Sequence, residues 1–386
     1  MVNKYCVIAE SDMRKQIYWY FLFLSLVGLM QLTLSCSSSS NEIEPLKPEG
    51  GDTPLEKDEY TFLNVEYRKW QNGTFQAWTT ADSRETRIID NMNWYTPSSD
   101  YSRTAWGGRI GLQPSSVVGK EGFFRVASCG GRSYLLDPDN GAVIIHGIQH
   151  VRPGESTAHK KAFGTRYGSE ARWSEETGKL LADNHINYIS YGSNRIEVFP
   201  AAVRGNLLTP KTQKIAYAEN LYLLRTFMWD MSKNLGYAFD DDKYNRLVLL
   251  FEPTFATYID RLVQEKSALF AGDRHFIGFY LDNELPFASY QGTGYANTEG
   301  GGWLVHTQKN RGEFYQNFCL RLLETRNCVG WVHFEYNDGY DSNGKASNKG
   351  IVSIEYEPYT SFLSQMRQVN LAVHSLIDYY DTKSVQ

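Results

Sequence analysis

The stretch His275-Phe276-Ile277-Gly278-Phe279-Tyr280-Leu281-Asp282-Asn283-Glu284-Leu285-Pro286-Phe287 carries the most information in this chain. Up to Leu281 it is dominated by apolar residues, with β-branched and aromatic side chains among them, the composition of a strand buried on both faces. It runs directly into Asp282-Asn283-Glu284, and Pro286 then ends it. Where parallel strands alternate with helices, reactive groups stand at the carboxyl ends of the strands. Glu284 is therefore a candidate for moving a proton, and Asn283 for hydrogen-bonding a hydroxyl. The same spacing also fits a solvated loop carboxylate after an ordinary strand.

Working outward, strand and helix patterns alternate. Ala142–Val151 reads as a first strand, ending at His150 and Arg152. Trp173–Asn184 reads as a helix, Asn187–Tyr191 as a second strand leading to Asn194 and Arg195, and Asn220–Leu235 as an amphipathic helix. Asn245–Phe251 falls where a third strand is needed. Pro253–Leu269 is a helix, Phe276–Leu281 the strand that carries Glu284, Gly312–Thr325 a helix, Val329–Tyr336 a strand and Pro358–Tyr380 a closing helix. Such alternation predicts an α/β domain with a parallel sheet. Upstream, residues 59–121 contain Trp70, Trp78, Trp94 and Trp106 without a long helical pattern, and read as a small β-rich region. Three strand signals follow from Gly122, separated by the turn residues Gly130-Gly131 and Asp137-Pro138-Asp139-Asn140-Gly141.

The amino end reads as a targeting segment. A basic start at Met13-Arg14-Lys15 precedes the apolar run Ile17–Leu34, and Ser35-Cys36-Ser37 follows at once. This resembles a bacterial lipoprotein signal over residues 1–36, with Cys36 the lipidated residue. That resemblance implies a cell-envelope protein, anchored through lipid to the outer membrane. A membrane-spanning anchor is the alternative, since the run nearly reaches the length of a span. Residues 37–58 are polar and rich in Ser, Glu, Pro and Gly, as a flexible tether is. A net charge of −5 and the lack of a Lys/Arg-rich run argue against a nucleic-acid partner. Cys129, Cys319 and Cys328 have no CxxC spacing, so no structural zinc site is expected. No phosphate loop, HExxH run or Ser-His-Asp order occurs, and no metal or cofactor is expected. Aromatic residues make up 14% of the chain, and rings of this kind either fill a core or stack on sugar faces.

Four stretches together resemble the agarase-like enzymes of glycoside hydrolase clan A, nearest to family 50. They are Gly122-Phe123-Phe124-Arg125-Val126 with Gly131–Asp139, Gly147–Gly154, Phe279–Leu285, and Gly330–Asp338 with Asn348–Val352. The resemblance spans roughly residues 60–380. It implies a (β/α) TIM-type barrel over residues 122–386, preceded by the β-rich region, and hydrolysis of a β-linked galactan through a covalent sugar–enzyme intermediate. It also implies Glu284 as the acid/base. The Asn-Glu motif is shared by the whole clan, so it names the reaction better than the substrate.

A retaining glycosidase needs a second carboxylate about 5–5.5 Å from the first. In the clan this nucleophile follows the seventh strand. Only 47 residues separate Glu284 from Trp331, which resembles the eighth strand. A strand-plus-helix unit takes roughly 30 residues, so the interval is too short for the fifth to seventh units. The barrel is therefore expected to be incomplete, and a catalytically impaired carbohydrate-binding descendant is the alternative function. Glu299 is the positional candidate for nucleophile, ahead of Glu335, Glu355 and Glu357. His150, Arg152, Asn194 and Arg195 are candidates for binding sugar hydroxyls, and Trp303 and Trp331 for stacking. Each of these residues equally fits a packing or loop-fixing role. His146 reads as a core residue.

Overall fold

The computed structural model describes residues 59–71, 74–98, 101–193, 214–235, 251–282, 303–340 and 346–383. Asn283, Glu284, Glu299, Asn194, Arg195 and Cys36 lie outside the described residues, as does the Asn245–Phe251 strand reading up to residue 250.

In the amino-terminal part, β1 (Leu63–Arg68) pairs antiparallel with β2 (Asp82–Thr86). A four-stranded antiparallel sheet follows, made of β3 (Ser116–Val118), β4 (Arg125–Cys129), β5 (Arg132–Leu136) and β6 (Ala142–Val143) in sequential order. The turn between β4 and β5 is Gly130-Gly131, both with positive φ, the backbone a two-residue hairpin turn requires. The expected first strand, Ala142–Val151, is two elements. β6 belongs to this antiparallel sheet, whereas β7 (Ile145–Ile148) begins a parallel one.

The parallel sheet adds β8 (Tyr188–Ile189), β9 (Ala216–Asn220), β10 (Phe276–Tyr280) and β12 (Gly330–His333), in the spatial order β10-β9-β8-β7-β12. Every neighbouring pair is parallel: Ile148 lies opposite both Ile189 and His333, and Asn220 opposite Tyr280. Between β10 and β12 in sequence, β11 (Leu304–Val305) returns to pair antiparallel with β1. β9 was not legible as a strand, and the helix read from Asn220 begins only at Leu223. β10 is half-buried throughout rather than buried on both faces. It ends the sheet order, with one neighbour among the described residues.

Among the described residues there are six α-helices: α1 (Thr157–Arg166), α2 (Glu170–Asp183), α3 (Leu223–Leu235), α4 (Phe255–Phe270), α5 (Gln308–Glu324) and α6 (Thr360–Lys383). Ser156, Ser169 and Thr307 cap α1, α2 and α5, each side chain accepting from the backbone N–H three residues on. Strand alternation sorts the sheet's side chains into two layers. Ile148, Ile189, Tyr217, Phe276 and Phe279 pack with Trp173 and Leu181 of α2, Phe270 of α4 and Phe362 of α6. Ile145, Tyr188, Ala216, Ala218, Ile277 and Tyr280 pack on the opposite face with Trp106, Val143 and Leu135 of the amino-terminal part. The carboxyl end of α6 ties the amino-terminal strands to this body. Tyr380 hydrogen-bonds Tyr60 through their hydroxyls (2.6 Å). Asp378 accepts from Arg109 (2.6 Å) and Asp381 takes a two-pronged bond from buried Arg132 (2.7 and 3.1 Å).

Candidate functional site

Because the strands are parallel and in register, their carboxyl ends open onto one edge of the sheet. That edge collects His150 after β7, Ser190-Tyr191-Gly192 after β8, Asn220 at the end of β9, Tyr280 at the end of β10 and Phe334-Glu335 after β12. Backbone bonds continue the pairing beyond the strands. Gln149 N–H donates to His333 O (3.0 Å), and Tyr336 N–H donates to Gln149 O (3.1 Å). The segments bearing His150 and Glu335 are thereby fixed side by side.

Their side chains meet, with His150 Nδ1 3.1 Å from Glu335 Oε2. A carboxylate oxygen accepts, so Nδ1 carries the proton, and Nε2 lies over the Gly192 backbone. The imidazole is held from several sides. Its backbone adopts φ 54°, uncommon for a residue with a side chain. Val151 N–H, next along, donates to buried Ser193 Oγ (3.0 Å). The ring lies edge-on to Phe334 (5.1 Å) and Tyr191 (6.4 Å). It also lies so close over Gly192 that a Cβ there would meet its Cδ2 at 2.4 Å. On the β10 side, Tyr280 Oη accepts from Tyr188 (3.2 Å) and Ser190 (3.3 Å), and the rings of Tyr191 and Tyr280 meet at 4.8 Å. Burial raises the pKa of the Tyr188 hydroxyl, the neighbouring Tyr280 adding to it, so it stays protonated and available as a donor. Asn220 accepts from Tyr222 N–H through Oδ1 (2.8 Å), while its buried Nδ2 has no partner among the described residues.

Asp282 Oδ2 accepts from Leu224 N–H (2.8 Å) at the start of α3. A carboxylate there offsets the positive end of the helix dipole. The contact anchors the chain one residue before Asn283-Glu284.

The sequence-read candidates divide. His150 stands at the strand ends as expected. Arg152 pairs with Glu155 (3.3 Å) on the exposed turn beyond buried Val151. Trp331 needs correction as a stacking platform. It is 6% exposed and donates its indole N–H to Tyr315 Oη (2.6 Å), with His146 against its ring (5.0 Å). Alternation along β12 turns Trp331 and His333 toward the helices, and Val332 and Phe334 to the other face. Trp303 sits away from the strand ends, stacked on Tyr67 (4.2 Å) with the Arg84 guanidinium 5.0 Å from its ring. His146 is buried as expected, and burial depresses its pKa to about 3. Phe334, Tyr191, Tyr280 and Asn220 were not singled out from the sequence, although the parity of β12 would have pointed to Phe334 rather than Trp331.

No family model matches this chain, and no curated protein matches it. Solved structures do. One described as "Crystal structure of BpGH50" superposes with a TM-score of 0.68 at 19% identity, over 86% of this chain and 98% of that one. An agarase, AgWH50C, follows with a TM-score of 0.45 at 12% identity, over 73% of this chain and 67% of that one. A Parabacteroides merdae β-glucuronidase gives 0.35 at 10% identity, over 80% and 50%. The first match establishes a shared fold, and it agrees with the family 50 resemblance that the sequence motifs carry.

Proposed function

We propose that the protein is a glycoside hydrolase that cleaves a β-linked, agar-like galactan with retention of configuration. The reading rests on one observation above others. The chain shares the fold of the BpGH50 structure, and its Asn283-Glu284 pair directly follows a strand whose carboxyl end belongs to the same edge as the His150–Glu335 pair. In this proposal the five parallel strands are those of an incomplete (β/α) barrel. Glu284 protonates the leaving glycosidic oxygen and then draws the proton from the attacking water. Asn283 binds a sugar hydroxyl, assisted by His150, Arg152 and Asn194, and Glu299 is the positional candidate for nucleophile. No metal or cofactor is required by this chemistry.

The partner is a polysaccharide or oligosaccharide. The leader at residues 1–36 and lipidation at Cys36 place the protein, in this proposal, on the cell envelope with a lipid anchor in the outer membrane. Incorporation of labelled palmitate that is lost in Cys36→Ser tests the anchor. Glu284→Gln is expected to reduce the release of reducing ends from agarose at least about 10²-fold, the lower range for a general acid/base, with an unchanged cooperative melt. Full activity in that variant refutes the assignment. The short interval of 47 residues from Glu284 to Trp331 favours one second reading, a binding protein without turnover. Saturable oligosaccharide binding by a wild-type chain that releases no reducing ends decides for it.

A further inference from the structure

We infer that a cavity at the opposite edge of the sheet, lined by His275 and Lys214, is a second, non-catalytic binding site for an uncharged saccharide, through which the protein grips its polymer away from the point of cleavage; the choice of a saccharide rests on the carbohydrate reading above. The cavity has a volume of about 460 Å³, enough for a small organic ligand. It opens at the amino ends of β9 and β10, where Lys214 and His275 stand just before the strands. The five residues of β10, roughly 16 Å of strand, separate it from Tyr280 at the edge that carries the catalytic candidates.

His275 supplies the observation that points to a ligand. It is only 8% exposed, and it lines the cavity. Its Nδ1 is 2.9 Å from Ile215 O, and a carbonyl accepts, so Nδ1 carries the proton. Burial lowers the pKa of the ring and keeps it neutral. The lone pair of Nε2 is therefore free to accept. That nitrogen has no partner among the described residues, yet it is not sealed from solvent. Trp106, itself buried, packs edge to face against the ring at 4.6 Å and fixes its plane.

The surroundings decide the chemistry of the ligand. Lys214 Nζ stands 4.9 Å from the Trp106 ring and donates to Asp139 at 3.4 Å, a long contact that leaves N–H groups to spare. Arg274 donates to the other oxygen of Asp139 at 2.6 Å. Asp273 is satisfied by Tyr217 Oη (2.9 Å) and His275 N–H (2.9 Å). Two cations thus face two carboxylates, and the cavity holds no net charge with which to draw an ion. The carboxyl end of α4 forms the remaining wall. Its last turn leaves carbonyls unused within the helix, and exposed Leu269 beside Ala271 adds apolar surface. An acceptor on the floor, a donor at the rim and an apolar wall without net charge suit a ring whose hydroxyls both give and accept and whose C–H face is apolar.

Depletion of the full chain from solution by increasing amounts of insoluble agarose tests the site. Lys214→Met keeps the aliphatic stem against Trp106 and removes the donor. His275→Asn keeps a donor for Ile215 O and removes the acceptor. Ala271→Trp, at an exposed position, fills the cavity. Each is expected to raise the half-saturating amount of polymer about 3- to 10-fold. A cooperative melt checks each fold, and Lys214→Met, which alters a half-buried surface group, carries the test should the other two fail to fold. If the wild type binds and the folded variants bind within about twofold of it, the cavity is refuted and the glycosidase reading stands. Loss of tetrasaccharide cleavage in the same variants, in step with loss of polymer binding, would trace the effect to the catalytic edge and overturn the second site. If the wild type neither binds nor cleaves any neutral galactan, the carbohydrate reading itself falls and takes the cavity's ligand with it.

Discussion

Replacing Gly192 by alanine tests the site through a residue that acts on the His150 ring from below. Gly192 has φ 76°, which costs a residue with a Cβ about 1–2 kcal/mol. The new methyl would also stand 2.4 Å from His150 Cδ2 and 2.8 Å from Nε2. The ring must swing away, and its 3.1 Å contact with Glu335 goes with it. That contact is partly open to water, so its loss counts below the range of buried charge-assisted bonds, about 1 kcal/mol. The two contributions give about 2–3 kcal/mol. Urea denaturation reads this as a fall in the midpoint at unchanged slope. Gly192→Asn separates the contributions, because Asn accepts the backbone but keeps the clash, and about half of the loss is expected to remain. A loss below about 0.5 kcal/mol in Gly192→Ala, with galactan binding unaltered, would show that the glycine does not brace the imidazole.

Two further outcomes follow from buried polar groups. His146, His333 and His374 are held neutral, mainly by burial, at about 3, about 4 and about 4, with the Arg311 guanidinium also pressing on His333. The unfolded chain binds these protons near pH 6.5, so stability present at pH 7 is lost as pH falls below 6.5, by up to about 1.4 kcal/mol per pH unit for each. Burial raises the carboxyl pKa of Asp137 and Glu324, which act in the opposite direction at lower pH, so unfolding free energies at pH 6.5 and 5.0 give the cleanest comparison; a flat profile there contradicts the buried neutral imidazoles. Arg132, fully buried, bonds Asp381 through two nitrogens and Leu323 O through a third (2.8 Å). Asp381→Ala strands that charge and is expected to cost about 3–5 kcal/mol, whereas Arg132→Met is expected to cost less; equal and small losses by chemical denaturation would refute the pairing.

Much of the helical layer was legible because its signals are local. The periodicity of α2 and α6 placed them to within a few residues, whereas α5 begins four residues before the expected Gly312 because its first turn, Gln308-Lys309-Asn310-Arg311, is wholly polar and only the Thr307 cap marks it. β9 escaped notice for a related reason. Ala216-Tyr217-Ala218-Glu219-Asn220 lacks β-branched residues, and its alanines are small because Tyr188 and Tyr280 share their layer. Glu284 was legible as a motif. The partnership of His150 with Glu335 was not, since it joins residues 185 positions apart and depends on how two strands are set in register.

The attachment of the amino-terminal strands to α6 has a bearing on synthesis. Tyr60 meets its partner 320 residues later, and Arg132 waits 249 residues for Asp381. A chain emerging amino end first therefore carries a cationic Arg132, destined for complete burial, without its partner Asp381 until α6 has left the ribosome. Contacts of such long sequence separation slow folding and prolong exposure of unpaired strands. The final turns of α6 act in this sense as a release catch: a nascent polypeptide stalled before Asp381 should remain protease-sensitive over residues 59–143, and become resistant only once that aspartate is free to dock.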